Sequence, residues 1–306
     1  MRKTVTTLLV FGLMVTLFAM PALAGLGGHD ETMETYATGW NAANGSVATP
    51  GTVAAGITGT HLLFTEVGWR GLNNKNLADS VEFIEIYNPT ALPIVLTNYY
   101  VSDVNGYSAL PVAGTINLAL NSTDFGMKFP NGAQIGPGAV KVIAIDGGRW
   151  KRGVGTDADF MLFNAGGGAT TALPMVDVHI NGGAIYPTYG ELLNTGEFVW
   201  LFNWNGLDDL VGDVDLETWG TQSGDNFPLK KTAALCQDGP DVGVITSCYR
   251  ADLGPIVTLA TPSNGSGTRQ RIGPEVGETA TGGNGYLDIT VPAIHSTWGS
   301  VKAIYR

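Results

Sequence analysis

Histidine and cysteine are scarce in this chain, four and two among 306 residues. The histidines (His29, His61, His179 and His295) are far apart, and no H-E-x-x-H, G-x-S-x-G or lysine-bearing phosphate loop occurs. These gaps remove the zinc-protease, nucleophile-elbow and P-loop classes. Charge is thin as well. Only 14% of residues are charged, and 16 basic against 27 acidic side chains leave a formal net charge of −11. Such a chain repels phosphate backbones, so nucleic acid is not an expected partner. Past Ala24 no apolar run is long enough to cross a bilayer, and no heptads, fixed-period repeat or helix-period segment stand out.

What the N-terminus does have is the pattern of an export signal. Arg2 and Lys3 precede the apolar stretch Leu8–Met20, and Ala22-Leu23-Ala24 presents small residues where a signal peptidase reads them. Residues 1–24 are expected to be removed before Gly25; the alternative is a retained N-terminal anchor. No cysteine follows the cleavage point, so a lipoprotein is not expected. The expected address is secreted: extracellular, at the cell surface, or periplasmic. Cys236 and Cys248 fit it. They bracket the turn Gly239-Pro240, and in an oxidising compartment a disulfide is the simplest reading, stabilising by about 3 kcal/mol through loop closure. A metal pair or a reactive thiol is the alternative, without a nearby histidine to support it.

Glycine numbers 43, and with little charge and many turn signals the composition suits an all-β protein. Residues 25–60 are rich in Gly, Ala and Thr, with Trp40 the main large apolar residue, and read as a flexible arm that orders on meeting a partner. Leu62–Val67 is the first strand. Val81–Asn88 is the central one. On a two-residue period Ile84 and Ile86 face one way and Phe83, Glu85 and Tyr87 the other, so both faces carry large apolar groups; Asn88-Pro89 ends the strand in a turn. Leu92 to Val101 alternates, Gly136-Pro137-Gly138 turns into a strand from Val140 to Ile145, and Glu197–Trp204 pairs with Val211–Trp219 around the turn signal Asn205-Gly206. Thr268–Gly273 and Tyr286–Ala293 close the domain. The expected layout is a signal (1–24), an arm (25–60) and one sandwich (61–306) enlarged by loops and minor strands at about 147–195 and 221–265.

Taken in order, several of these pieces resemble a lamin tail domain. They are Phe64-Thr65-Glu66-Val67, then Glu82 to Pro89 (EFIEIYNP), then Leu96 to Asp103. Ile135-Gly136-Pro137-Gly138-Ala139-Val140 is similar to the family's I-x-P-G segment, Trp200–Gly206 with Val214–Gly220 to its penultimate hairpin, and Gln270-Arg271-Ile272 to a short segment near its end. The resemblance spans roughly residues 62–275 and implies an immunoglobulin-like β-sandwich with a non-catalytic scaffolding or binding role. A protein or a surface glycan is the expected partner. The other function considered is a structural subunit that self-associates by adding residues 25–60 as a strand to a neighbour's sheet.

Four groups of side chains are candidate sites. Asp213, Asp215 and Glu217 alternate, near Asp208 and Asp209. On one strand face they offer the oxygen donors that Ca²⁺ takes, although the spacing is not that of an EF-hand. The plainer reading is a solvated face that discourages edge pairing. No other cofactor is expected. Glu85, and with it Glu66, reads as a buried structural carboxylate. Arg149-Trp150-Lys151-Arg152, a basic run with an aromatic, reads as an exposed loop. Tryptophans offer surfaces for sugar stacking but in a sandwich mostly fill the core. A carboxylate-pair hydrolase is the one enzymatic alternative.

Overall fold

The computed structural model describes residues 40–42, 51, 53, 57–69, 81–116, 124–178, 192, 193, 195–220, 228, 229, 231, 232, 234–241, 246–249, 268–271 and 286–288. Along the chain come β1 (Trp40–Ala42), β2 (Leu63–Gly68), β3 (Phe83–Tyr87), β4 (Ile94–Val95) and β5 (Tyr99–Ser102), then a 3-10 turn (Asn105–Ala109) running into helix α1 (Leu110–Ala113). β6 (Gly126–Lys128), β7 (Gln134–Ile135) and β8 (Val140–Asp146) lead to helix α2 (Gly147–Val154), β9 (Phe160–Phe163), β10 (Leu173–Pro174) and β11 (Val176–Asp177). A long hairpin, β12 (Gly196–Asn203) and β13 (Gly212–Gly220), precedes β14 (Cys236–Gln237), β15 (Ser247–Tyr249), β16 (Thr268–Arg271) and β17 (Tyr286–Asp288).

The strands assemble as an all-β sandwich. One sheet runs β1-β16-β2-β3-β8-β9-β10 and the other β11-β6-β5-β12-β13; β14-β15-β17 and β4-β7 form smaller sheets. Between the two large sheets Phe64, Val67, Ile84, Ile86, Ile143 and Phe160 meet Val101, Met127, Val199, Leu201 and Trp219. Alternation then sends the intervening residues outward, where they are covered as well. Phe83, Val142 and Ala144 lie with Trp150 of α2. On the other sheet Tyr100, Trp200, Phe202 and Leu216 lie with Tyr107, Leu110 and Tyr249. Both large sheets are therefore packed on two sides.

Asn88 fixes the end of β3. It is fully buried, and its Nδ2 donates to the carbonyls of Leu92 (2.7 Å), Gly136 (3.1 Å) and Ile135 (3.2 Å). Its Oδ1 accepts from the backbone N–H and hydroxyl of Thr90. Its own backbone closes on the Gly136–Ala139 turn, donating to the Ala139 carbonyl and accepting from Gly138 N–H; Gly138 takes the left-handed conformation (φ 64°) that glycine adopts without a Cβ penalty. One side chain thus holds together two turns that are distant in sequence.

Three expectations are corrected. The stretch 147–195, read as loops and minor strands, has its strands in β9, β10 and β11 but opens on a helix where a loop was expected. Gly147–Val154 is a helix, capped by Asp146, whose side chain accepts from Arg149 N–H, and closed by Gly155 at φ 92°. β9 then returns parallel to β8, a strand–helix–strand crossover inside the main sheet. The helix needs its second glycine, because a Cβ on Gly148 would lie 2.3 Å from the Gly167 carbonyl oxygen, while one on Gly147 would push against the Met161 sulfur 2.6 Å away. The presumed arm is also part of the fold where it is described: Trp40–Ala42 pairs antiparallel with Arg271–Arg269 of the same chain. Asn205-Gly206 is not a two-residue hairpin turn; Asn205 Oδ1 caps a longer connection by accepting from Leu207 and Asp208 N–H. The signal stretch 1–24 lies outside the described residues.

Replacing Asn88 with alanine removes the amide that donates to three carbonyls of the two turns, the buried Ile135 carbonyl among them. Asn88→Ala is expected to lower unfolding free energy by about 3 kcal/mol, read as a lower urea midpoint at unchanged slope; an unshifted midpoint would show that the amide does not hold the turn.

Candidate functional site

The predicted carboxylate row on β13 is split by a bulge. Leu201 pairs with Asp215 and Phe202 with Asp213, leaving Val214 over; the extra residue reverses which way the strand faces. Val214 enters the core between the sheets while Leu216 joins the outer cluster with Trp200. Asp213, Asp215 and Glu217 are all buried, so they are neither a solvated face nor one row of ligands. Asp215 Oδ2 accepts the Phe64 N–H of β2 at 2.6 Å and Oδ1 that of Leu216, tying one sheet to the other. The reason is local: β2 is bulged between Phe64 and Glu66, which turns a backbone donor out of the ladder toward that carboxylate.

Asp213 points the other way, into the aromatic layer, where it meets a lysine. Lys231 Nζ lies 2.5 Å from Asp213 Oδ2, and the two side chains are only 3% and 1% exposed. The Tyr107 hydroxyl donates to Asp213, 2.8 Å from Oδ1 and 2.9 Å from Oδ2, and accepts from Lys231 at 2.7 Å. The ammonium stands over three rings, with centroids at 5.0 Å (Trp200), 5.2 Å (Tyr107) and 5.7 Å (Tyr249). Tyr249 is held by its hydroxyl, which donates to the Ser108 carbonyl and accepts from Val211 N–H. An amine, a carboxyl and a phenol in mutual contact, closed off by aromatic walls, form the most chemically loaded place among the described residues. Sequence reading missed it. Lys231 is an ordinary surface residue type, and nothing in its neighbourhood signals a partner at Asp213.

Glu66 and Glu85 face each other across β2 and β3, fully buried on the outer side. Glu85 accepts from Gly51 N–H at 2.6 Å and from the Thr65 hydroxyl at 2.8 Å. Glu85 is thus buried with hydrogen bonds from the Gly51 backbone and a hydroxyl beside the bulge, not from the strand ladder. Burial pushes Glu85 up. Burial first, then the Glu85 charge, raises Glu66 from 4.5 to about 9, so Glu66 is a neutral acid at pH 7. A second carboxylate group lies around Asp103, which is buried and accepts Phe125 N–H at 2.6 Å. Burial, then Glu197 and Asp124, raise it, and burial with Asp124 raises Glu197 to about 8.

Two other surfaces are occupied by the protein itself. The ligand oxygens of Asp209, Asp238 and Asp241 lie within 4.8 Å of one another, a spacing a cation would fit. Yet Asp209 already accepts from Gly239 N–H and the Ser247 hydroxyl and works as a clasp on the disulfide-bonded loop, where Cys236 and Cys248 are joined. The basic run 149–152 is helical, not an exposed loop. Trp150 is buried edge-on to Phe83 at 5.3 Å, Lys151 pairs with Asp157 at 2.8 Å, and Arg152 donates to the Gly166 and Gly167 carbonyls. Trp69 and Trp219 stack at 4.8 Å in the core. Among the described residues no helix is long and apolar enough to cross a membrane.

No family model and no curated protein matches the chain. The solved structure of a DUF4876 family protein from Bacteroides thetaiotaomicron is similar at 14% identity and a TM-score of 0.38, over 78% of this chain and 75% of that one. At that distance the likeness assigns neither family nor function.

The raised acids set a pH dependence. Unfolded, Glu66 releases its proton near 4.5; folded, it keeps it to about 9. The folded form therefore binds more protons between those values, and this group's contribution is greatest below about 4.5 and declines as pH rises toward 9. Glu66→Gln is expected to leave melting at pH 4.5 nearly unchanged and to raise it at pH 8 by roughly 5 °C; equal shifts at both pH values would show that Glu66 is not a buried neutral acid.

Proposed function

We propose that the chain is an exported, non-catalytic binding or scaffolding module of the cell surface or extracellular space, built on a lamin-tail-like, immunoglobulin-like sandwich. The observation that carries this reading is where the chemically able side chains are. Glu66, Glu85, Glu197, Asp213 and Asp215 are buried, and Trp69, Trp150, Trp200 and Trp219 are buried with them. Acids enclosed in this way hold strands in place, and these four enclosed tryptophans are not stacking platforms for sugars. Among the described residues this supports a protein partner over a glycan. The lamin-tail reading draws support from Asn88, because the EFIEIYNP stretch and the I-x-P-G segment meet at that side chain. The disulfide is in keeping with an oxidising compartment.

A second reading, a self-assembling subunit, is favoured by one feature: β1 takes the edge of the seven-stranded sheet through β16. A short edge strand supplied by a distant stretch of chain is of the type that neighbours exchange.

Purified residues 25–306 are expected to sediment as one species at every concentration and to release no new reducing ends or peptides from a panel of polysaccharides and proteins. Polymers that grow with concentration would replace the module by the subunit. Turnover that disappears in Glu66→Gln or Glu85→Gln would overturn the non-catalytic reading.

A further inference from the structure

We infer that Lys231 and Asp213 form an intramolecular isopeptide bond, an amide between Lys231 Nζ and Asp213 Cγ. The reacting groups are already together, with Nζ 2.5 Å from Oδ2 and the carboxyl carbon one bond further on. Holding an amine and an acid at this range replaces a bimolecular encounter by an internal step. The surroundings favour condensation. In water the ammonium and carboxylate are stabilised by hydration, which keeps amide formation uphill; here the pair is 3% and 1% exposed and has lost that hydration. The three rings around Nζ also exclude the water that would reverse the reaction.

The atoms balance without any external reagent. A proton passes from Nζ to Oδ2 along their hydrogen bond, leaving a neutral amine beside a carboxylic acid. The Nζ lone pair adds to Cγ, and the carbonyl electron pair moves onto Oδ1, where the Tyr107 hydroxyl, 2.8 Å away, donates to the developing oxyanion. Tyr107 also touches Nζ at 2.7 Å and Oδ2 at 2.9 Å. It can therefore take a proton from the nitrogen and return one to the leaving oxygen. Collapse of the adduct breaks the Cγ–Oδ2 bond and expels one water. Lysine amine plus aspartic acid gives amide plus water, with no change of oxidation state. Tyr107 is in this scheme a catalytic residue, since it contacts all the reacting heteroatoms. The chemistry is independent of the role proposed above, because it needs only the folded chain.

Mass spectrometry of the purified, folded protein tests it directly. The wild type is expected to weigh one water less than its sequence with the disulfide formed, whereas Lys231→Arg weighs the full amount. After reduction and proteolysis, the wild type yields one branched peptide joined through Lys231 and Asp213. Asp213→Asn keeps an electrophilic carbonyl and is expected to lose ammonia instead of water. Tyr107→Phe is expected to slow bond formation by at least tenfold in a time course after refolding. A wild-type protein that melts cooperatively and carries its full sequence mass, without the branched peptide, would overturn the assignment. An unchanged rate in Tyr107→Phe would overturn the part given to the phenol.

Discussion

Strand β3 has a packed layer on each side, and much of the polar chemistry of the molecule descends from that constraint. Ile84 and Ile86 point into the core between the sheets while Phe83 lies against Trp150 of α2. With no wet face available, any carboxylate on these strands must be bonded or neutral. Glu85 takes the first course, accepting from Gly51 and Thr65; Glu66 takes the second. The same crowding dictates glycine at Gly68, where a Cβ would sit 2.4 Å from the Phe83 ring, and at Gly148, where α2 presses onto the Gly167 carbonyl in the chain after β9. Glycine here is a packing residue as well as a turn residue.

Hydrophobic burial brings the sheets together but is indifferent to register, and buried polar groups supply what it lacks. Asn88 fixes the end of β3 against the Gly136–Ala139 turn. Asp215 fixes β13 against the bulge of β2. Each leaves unsatisfied partners if its strand slips by one residue, which costs more than a slip costs the apolar faces alone.

Much of this was legible in the sequence. Two-sided β3 followed from its alternation, the β12–β13 pairing from the apolar strand Glu197–Trp204 and the stretch that returns after Asn205-Gly206, and the disulfide from two cysteines either side of a turn. The helix α2 was not, because eight residues opening on two glycines and rich in Arg and Lys read as a loop; the Asp146 cap, the Trp150–Val154 spacing and Gly155 are the signals that mark it. The bulge at Val214 was invisible for a different reason. A period-two reading of Asp213, Asp215 and Glu217 assumes an unbroken strand, and a single extra residue cancels that assumption without leaving a compositional trace. Lys231 shows the limit most clearly, since its identity as a buried partner depends on a contact with Asp213 across 18 positions that no local pattern encodes.

The segment around residues 228–249 explains why such a contact exists at all. Its described residues supply few large apolar side chains, Tyr249 being the main one in the adjoining cluster, so burial alone holds it weakly. It is fastened by directional means instead: the Lys231 contact at its start, the Cys236–Cys248 bridge within it, Asp209 reaching Gly239 and Ser247, and the Tyr249 hydroxyl bonded to Val211 and Ser108. Small, core-poor substructures are commonly secured by covalent staples. A lysine amide at one end and a disulfide further along would fasten this segment in two places by bonds that do not depend on a hydrophobic core, and would keep it on β13 under conditions that loosen packing.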